Sequence, residues 1–228
     1  MEIRIQNLKK TFGEKVAVNI DNYVINSGDM LGLVGNNGAG KSTLFRLIMD
    51  LIKSDSGNVT MVGTYQDIPV EMDVTTSEDW KEWTGAFIDD SFLIDYLTPD
   101  EYFHFVAKIC GISNEQLEEH LAHYEHFMNG EVIGQKKLIR NLSAGNKQKV
   151  GIIAAMIQQP QILILDEATS ALDTDTENMV LQNIVSACPD KTCIVSTHRP
   201  SILKLSNRVY RVEDKKLVVV ENTNEKDK

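Results

Sequence analysis

Residues 35–43 read Gly-Asn-Asn-Gly-Ala-Gly-Lys-Ser-Thr, and this stretch decides the fold of the chain. It fills the pattern G-x-x-x-x-G-K-[ST], whose defined positions are Gly35, Gly40, Lys41 and Ser42. The apolar run Met30–Val34 before it is typical of a buried parallel strand. The run 44–49 after it has helical spacing without a helix breaker. A strand, a glycine-rich loop and a helix in this order predict a phosphate-binding P-loop.

The loop supplies backbone groups, a cation and a hydroxyl to a phosphate site. Its N–H groups are expected to bind phosphate oxygens, helped by the dipole of the following helix. The residues expected to form this cradle are Gly35, Asn36, Asn37, Gly38, Ala39, Gly40 and Thr43. We expect Lys41 to reach the β- and γ-phosphates and the Ser42 hydroxyl to bind Mg²⁺. The flanking strand and helix argue against a chance glycine-rich turn, so the sequence predicts a nucleoside triphosphate site.

Two carboxylates follow a second buried run. Ile162–Leu165 is continuously apolar and leads directly into Asp166 and Glu167. Ligands of open α/β sheets bind at the carboxyl ends of strands, where an acid of this kind holds Mg²⁺. Glu167 is then placed to accept a proton from an attacking water. A strand that ends in a solvated acidic turn is the alternative, and the P-loop argues against it.

A further helix start lies at residues 141–149. Ser143 stands where an N-cap belongs, and the small residues Ala144 and Gly145 leave the backbone N–H groups approachable. Such a helix start can bind an anion. By spacing alone it cannot be told from an ordinary capped helix.

Composition and the order of elements predict one α/β protein. The chain has 228 residues, of which 42% are hydrophobic and 25% charged, as in a globular protein. A net charge of −10 argues against a broad nucleic-acid-binding surface, so no direct nucleic-acid partner is expected. No stretch approaches the roughly 18 apolar residues that span a bilayer.

Short strands such as Ile3–Leu8 come first, helices fill the middle third, and strands return after Pro160. This order predicts a P-loop core with a mainly parallel sheet, an N-terminal antiparallel β-subdomain and an inserted α-helical subdomain. We expect the core at about 1–88 and 159–221, the helical lobe at about 89–158 and a disordered tail at about 222–228. Residues 64–84 are expected to be an insertion or a helix–loop segment.

Over essentially its whole length the sequence resembles the ATP-binding cassette (ABC) ATPases. Residues 142–150 resemble the signature motif of that family, and Ser170-Ala-Leu-Asp173 matches its D-loop. His198 matches the switch histidine, and Phe12 falls where the family places an aromatic ring that stacks on adenine. The loop 35–43 and the acids at 166 and 167 correspond to its Walker A and Walker B motifs.

The resemblance implies how the site works. Two cassettes pair head to tail, as a homodimer or with a related cassette, and enclose two ATP molecules. Ser143, Ala144 and Gly145 would contact the γ-phosphate in trans. His198 would hold that phosphate and the water beside Glu167. Asp173 would link the two sites.

The sequence departs from the family at four positions, one of which is Asn146 in place of the usual Gln of the signature motif. A Gln that ligates Mg²⁺ is usual before the helical lobe, and the stretch 85–90 places Asp89 there, or Asp90 if the register slips by one. Ala144 replaces a Gly, which requires a negative φ there. Ala168 replaces a common Pro. We therefore expect slow but real hydrolysis.

The resemblance makes the ATPase subunit of a membrane transporter the leading hypothesis. It implies a separate permease, a position on the cytoplasmic face of the membrane and, weakly, export. The resemblance favours a groove for a permease helix, with ordinary core packing as the alternative, at four aromatic residues: Phe87, Phe92, Tyr96 and Phe103. The alternatives are a non-transport ABC ATPase, a poorly hydrolytic regulatory cassette, and another P-loop class such as a GTPase or a kinase.

Overall fold

The computed structural model describes residues 1–65, 68–128, 130–187, 190–198 and 205–220. Its strands are β1 (Glu2–Phe12), β2 (Lys15–Ile25), β3 (Met30–Val34), β4 (Ser56–Tyr65), β5 (Ile68–Asp73), β6 (Thr84–Phe87), β7 (Ile162–Asp166), β8 (Thr192–Ser196), β9 (Arg208–Glu213) and β10 (Lys216–Val219). Its α-helices are α1 (Lys41–Ile48), α2 (Pro99–Ile109), α3 (Asn114–Ala122), α4 (Glu125–Met128), α5 (Ala144–Met156) and α6 (Thr174–Ala187). The predicted tail 222–228 lies outside the described residues.

Four strands within the first 73 residues form an antiparallel sheet in the order β2-β1-β4-β5. The strand predicted at Ile3–Leu8 is present, and β1 runs four residues beyond Leu8. Ile3 and Ile5 alternate with less buried residues, and Leu8 is also buried because Asn7, with φ 49°, shifts the register of the strand.

The prediction of a helix–loop segment for residues 64–84 was wrong for the first part, because β4 extends to Tyr65 and β5 follows. It agrees with the second part, where a turn leads into a short 3-10 helix over Asp79–Trp83. Pro69 argues against a strand at this point of the sequence, because proline cannot donate a hydrogen bond to a neighbouring strand. It is tolerated here because β5 lies at the edge of the sheet.

The second sheet has the order β10-β9-β3-β8-β7-β6. Strands β9, β3, β8, β7 and β6 run parallel, and only the β9–β10 hairpin is antiparallel. All residues of β7 and β8 are buried, as expected for parallel strands covered on both faces. Because parallel strands end at the same edge, the segments that follow Val34, Phe87, Asp166 and Ser196 converge. This confirms the predicted α/β class.

Helices α2–α5 lie between β6 and β7 in the chain. Capping boxes at Thr98 and Ser113 start α2 and α3, because each side chain accepts from the backbone N–H three residues on. Phe87 and Phe103 were expected in a partner groove, but both are buried core residues. Phe92 and Tyr96 are 50% and 73% exposed. The exact boundaries of the core and the helical lobe stay predictions.

Candidate functional site

The glycine-rich loop joins the end of β3 to the start of α1 at Lys41. Gly40 has φ 118°, and a Cβ there would lie 2.4 Å from the Ala17 carbonyl oxygen, so only glycine fits. Gly40 also has no side chain to cap α1. The first-turn N–H groups of α1 are therefore left for a ligand, at the positive end of the helix dipole.

A cleft of about 800 Å³ opens at this helix start. It joins the hairpin tip at Phe12 to loop residues 37–43, and it also reaches the acids Asp89, Asp166 and Glu167. Sequence motifs that lie up to 155 residues apart thus line one cavity. Gly35, Asn36 and His198 line an adjoining cavity of about 720 Å³ on the other side of the loop.

Asp166 is the buried acid of the cleft, with 6% of its surface exposed. Burial raises its pKa, and hydrogen bonds from the hydroxyls of Ser196 and Ser42 oppose that rise. A buried carboxylate beside a hydroxyl oxygen is a hard donor set of the kind that Mg²⁺ takes. Ser42 and Asp166 therefore fit the magnesium site that the sequence predicts.

Glu167 forms a cluster with the lysine of the loop and the switch histidine. Its Oε1 lies 2.7 Å from His198 Nε2 and 3.4 Å from Lys41 Nζ. Lys41 Nζ also donates to the Gly35 carbonyl oxygen at 2.8 Å. Glu167 takes the left-handed conformation with φ 46°, and its N–H donates to Ser196 Oγ at 2.9 Å. A strained backbone held by a buried hydroxyl aims this carboxylate at Lys41.

Asp89 lies in the cleft, but its carboxylate already has partners. Oδ1 accepts from the Ser91 N–H at 2.8 Å and from the Ser91 hydroxyl, while Oδ2 lies 3.4 Å from Arg46 Nη2 of α1. Partial burial acts to raise the pKa of Asp89, and the Ser91 hydrogen bonds and the Arg46 charge outweigh it and lower that pKa. Asp90 differs, because burial raises its pKa. Asp89 is thus an ionised cap tied to α1, and a metal ion would compete with Arg46 for it.

Phe12 forms the opposite wall of the cleft. It ends β1 and is 54% exposed, beside Lys15 and Ala17. The Lys10 ammonium lies 5.5 Å from the centre of its ring and covers one face. An exposed ring at the mouth of a phosphate-binding cleft can stack on a flat base.

The first residues of the signature segment, Ser143, Ala144 and Gly145, lie outside the lining of this cleft. Ser143 caps α5, since its hydroxyl accepts from the Asn146 N–H at 3.2 Å, and Ala144 begins the helix. Asp173 accepts from the N–H of Thr176 at 2.9 Å and from its hydroxyl at 2.7 Å, which places Asp173 just before α6. A Cβ on Gly145 would lie 3.2 Å from Leu172, so the start of α5 packs against the D-loop.

Sequence reasoning missed two buried polar residues of the site. Gln148 donates to Ser170 Oγ at 2.8 Å and accepts from the Ala171 N–H at 3.0 Å, and it also lines the cleft. Ser196 binds both acids at the end of β7. For Ser196 the available signal was a polar residue at the end of an otherwise apolar strand, whereas Gln148 stands in the polar run 146–149 and gave no such signal.

Within the described ranges, no helix is both long and apolar enough to cross a membrane.

Comparison with known proteins identifies relatives of the whole cassette. The chain is 28% identical over 223 residues to the alpha-hemolysin translocation ATP-binding protein HlyB of Escherichia coli O157:H7. This alignment covers 93% of this chain and 30% of that protein. It is 32% identical over 225 residues to the methionine import ATP-binding protein MetN 3 of Bacillus cereus (strain ZK / E33L). That alignment covers 95% of this chain and 64% of the MetN 3 protein. The chain thus spans between 30% and 64% of the length of these curated relatives.

Solved structures share the fold. The dimeric structure of MJ0796, a bacterial ABC transporter cassette, has a TM-score of 0.77 at 25% identity and covers 94% of this chain and 96% of that one. The ATP binding subunit of an ABC transporter has a TM-score of 0.81 at 20% identity, covering 99% and 91% of the two chains, and shows the fold alone. A family model described as ABC transporter matches residues 18–170, which is more than half of the chain. The chain therefore belongs to the ABC transporter family, as an ATP-binding cassette, the ATPase unit of that family.

Proposed function

We propose that this chain binds ATP with Mg²⁺, hydrolyses it, and pairs with a second cassette around the nucleotide to drive a membrane-spanning permease. One observation carries the proposal. The cleft joins Phe12, the loop 37–43, Asp166 and Glu167, whereas the start of α5, which resembles the signature motif, lies outside it. The site of one chain therefore lacks the groups that a second chain would bring.

Each side chain of the cleft has a role in the proposed reaction. The loop N–H groups and Lys41 bind the phosphates, Phe12 stacks on adenine, and Ser42 and Asp166 hold Mg²⁺. The ion, when bound, neutralises charge on the phosphate oxygens. In the structure Lys41 Nζ lies 3.4 Å from Glu167 Oε1. Phosphate binding draws Lys41 away, and Glu167 is then free to accept a proton from water.

Closure and opening of the pair follow from the γ-phosphate. Ser143 and Gly145 of the second chain, a copy of this one or a related cassette, donate to that phosphate from the opposite side. Asp173 links the two sites, and His198 holds the phosphate beside Glu167. Hydrolysis removes the bridge, so the equilibrium shifts back to the open form.

The permease would dock beside the C-terminal end of α1. Leu51 and Phe92 are 48% and 50% exposed there and, with Trp80, line a groove of about 300 Å³. Exposed apolar residues around a groove are typical of a site for a partner helix. One relative is named for translocation and another for import, so they favour neither direction, and export stays a prediction.

The test is the steady-state ATPase rate of the purified chain. We expect Glu167→Gln to lower the rate by at least about 100-fold while ATP still binds, because general-base groups contribute about 10²–10⁴. We expect Lys41→Ala to lose ATP binding itself. The exposed change Glu78→Gln serves as the control and leaves the rate unchanged. If the unaltered chain and Glu167→Gln share the same background rate, hydrolysis is not its function.

A regulatory cassette with little hydrolysis is the second candidate. The observation that favours it is the commitment of Asp89 to Ser91 and Arg46, at the position where the resemblance expects a metal-binding Gln. ATP binding without measurable turnover in the same assay would select this candidate.

A further inference from the structure

Asp55 lies between α1 and β4 and holds the tip of the β1–β2 hairpin. Its Oδ2 accepts from the N–H and from the hydroxyl of Thr11, both at 2.6 Å. Its Oδ1 lies 3.2 Å from Lys10 Nζ, and its own N–H donates to the Lys9 carbonyl oxygen at 2.8 Å. One residue thus contacts the three successive residues that precede Phe12.

These contacts lie where regular pairing of β1 stops. The pairing of β1 with β4 ends at Lys9, opposite Ser56. The register between β1 and β2 shifts between Lys10 and Thr11. Phe12 therefore lies at the end of β1, where the pairing with β2 is irregular and the pairing with β4 has already ended. The Asp55 carboxylate replaces the missing strand partner at that point.

The backbone around Asp55 is fixed by a close approach. Gly57 has φ 78°, and a Cβ there would lie 2.2 Å from the Asn7 carbonyl oxygen. Only glycine allows this contact between the start of β4 and β1. The segment 49–55 follows α1 directly, and α1 begins at Lys41 in the phosphate loop. Asp55 thus connects the helix of the phosphate loop to the aromatic wall of the cleft.

The negative charge of Asp55 also helps to hold the end of β1 in place. The hydrogen bond from the Thr11 hydroxyl lowers the pKa of Asp55, and the Lys10 ammonium adds to this effect. The ionised carboxylate pairs with Lys10, and the same ammonium covers one face of Phe12. A base can then stack only on the face that Lys10 leaves open.

We propose that Asp55 is a positioning residue for the base, which fixes Phe12 at the distance from the phosphate loop that a nucleoside triphosphate requires. Asp55 itself lies outside the lining of the cleft. This inference rests on the proposed function, since it presumes that the cleft holds ATP. It assigns a role in base recognition to a residue 43 positions away from Phe12.

The test compares ATP with inorganic tripolyphosphate, which carries phosphates but no base. Binding of each is measured by titration calorimetry with Mg²⁺. A base stacked on an aromatic ring is worth about 5- to 150-fold in affinity. We expect Asp55→Ala to weaken ATP binding by about 3- to 10-fold, part of that contribution, and to leave tripolyphosphate binding within about twofold. Thr11→Val removes one donor and should weaken ATP binding in the same direction, by less.

Asp73→Ala is the matched control. Asp73 accepts from the N–H of Thr75 at 2.9 Å and from its hydroxyl at 2.6 Å, the same pair of contacts at a turn outside the cleft lining. This change should leave both affinities unaltered. Equal losses of ATP and tripolyphosphate affinity in Asp55→Ala, or equal effects of the two aspartate changes, would overturn the proposal.

A double-mutant cycle separates this inference from the proposed function. If Asp55 acts through Phe12, Asp55→Ala has no further effect on ATP affinity once Phe12 is replaced by alanine. A full additional loss in the Phe12→Ala background contradicts the inference alone. Failure of Lys41→Ala to weaken ATP binding would instead contradict the proposed function.

Discussion

Ser196 should stabilise the fold through the charge of Asp166. Ser196 is fully buried, and its hydroxyl donates to Asp166 Oδ1 while it accepts from the Glu167 N–H at 2.9 Å. The change Ser196→Ala removes both contacts with little change in volume. The Glu167 N–H keeps the Ser196 carbonyl oxygen at 3.2 Å, so the main loss is the donor to the buried carboxylate.

The size of the loss follows from the charge of the acceptor. A hydrogen bond to a charged group is worth about 1.5–3 kcal/mol, and one between neutral groups about 0.5–1.5 kcal/mol. Ser196→Ala should therefore lower the free energy of unfolding by about 1.5–3 kcal/mol. The same change in an Asp166→Asn background should cost about 1 kcal/mol less, because the acceptor there is neutral.

These changes form a double-mutant cycle of four proteins: the unaltered chain, Ser196→Ala, Asp166→Asn and the double variant. The free energy of unfolding of each is measured by urea unfolding, followed by circular dichroism at pH 8. Each kcal/mol should also shift Tm by about 2–4 °C in a chain of this size. Cys193→Ala, on the same buried strand, is the control and should cost the same in both backgrounds. Equal losses for Ser196→Ala in the two backgrounds would refute the reasoning.

Three further predictions concern stability. Lys215 has φ 67°, so Lys215→Gly should raise the free energy of unfolding by about 0.5–1 kcal/mol, measured by calorimetry. Because burial raises the pKa of Asp166, its ionised form weakens the fold above that pKa and the penalty fades as pH drops through it. Asp166→Asn should therefore raise Tm at neutral pH, and a lower Tm would contradict this. Gly85→Ala would place a Cβ 1.8 Å from the Ala155 carbonyl oxygen and should cost at least about 1–3 kcal/mol in urea unfolding.

The local chemistry of the site could be predicted from the sequence because each motif is short. The loop, Asp166 and Glu167 are each contiguous with the strand that positions them, so periodicity and spacing suffice. The Ser143 cap is likewise local to α5. Convergence of these segments follows from the parallel sheet, whose strands share one carboxyl edge.

Contacts between distant segments could not be predicted in the same way. Ser196 reads as part of an apolar strand, and its partner Asp166 lies 30 residues earlier. Thr11 and Asp55 are 44 residues apart, and neither stands in a motif. Phe87 was expected at a partner surface, but Gly151 of α5 lets its ring pack inside: a Cβ there would lie 2.2 Å from that ring. Such facts depend on which elements pack together, which spacing along the chain does not encode.

The most direct test of the central claim is the mass of the Glu167→Gln variant in solution with and without MgATP. The claim is that ATP is enclosed between the phosphate loop of one chain and Ser143 of another. Light scattering after size exclusion should give 25.6 kDa without nucleotide and twice that mass with ATP. A second change, Ser143→Arg, should abolish the doubling while ATP still binds. A variant that binds ATP and keeps the mass of one chain, or that pairs equally well without ATP, would contradict the account.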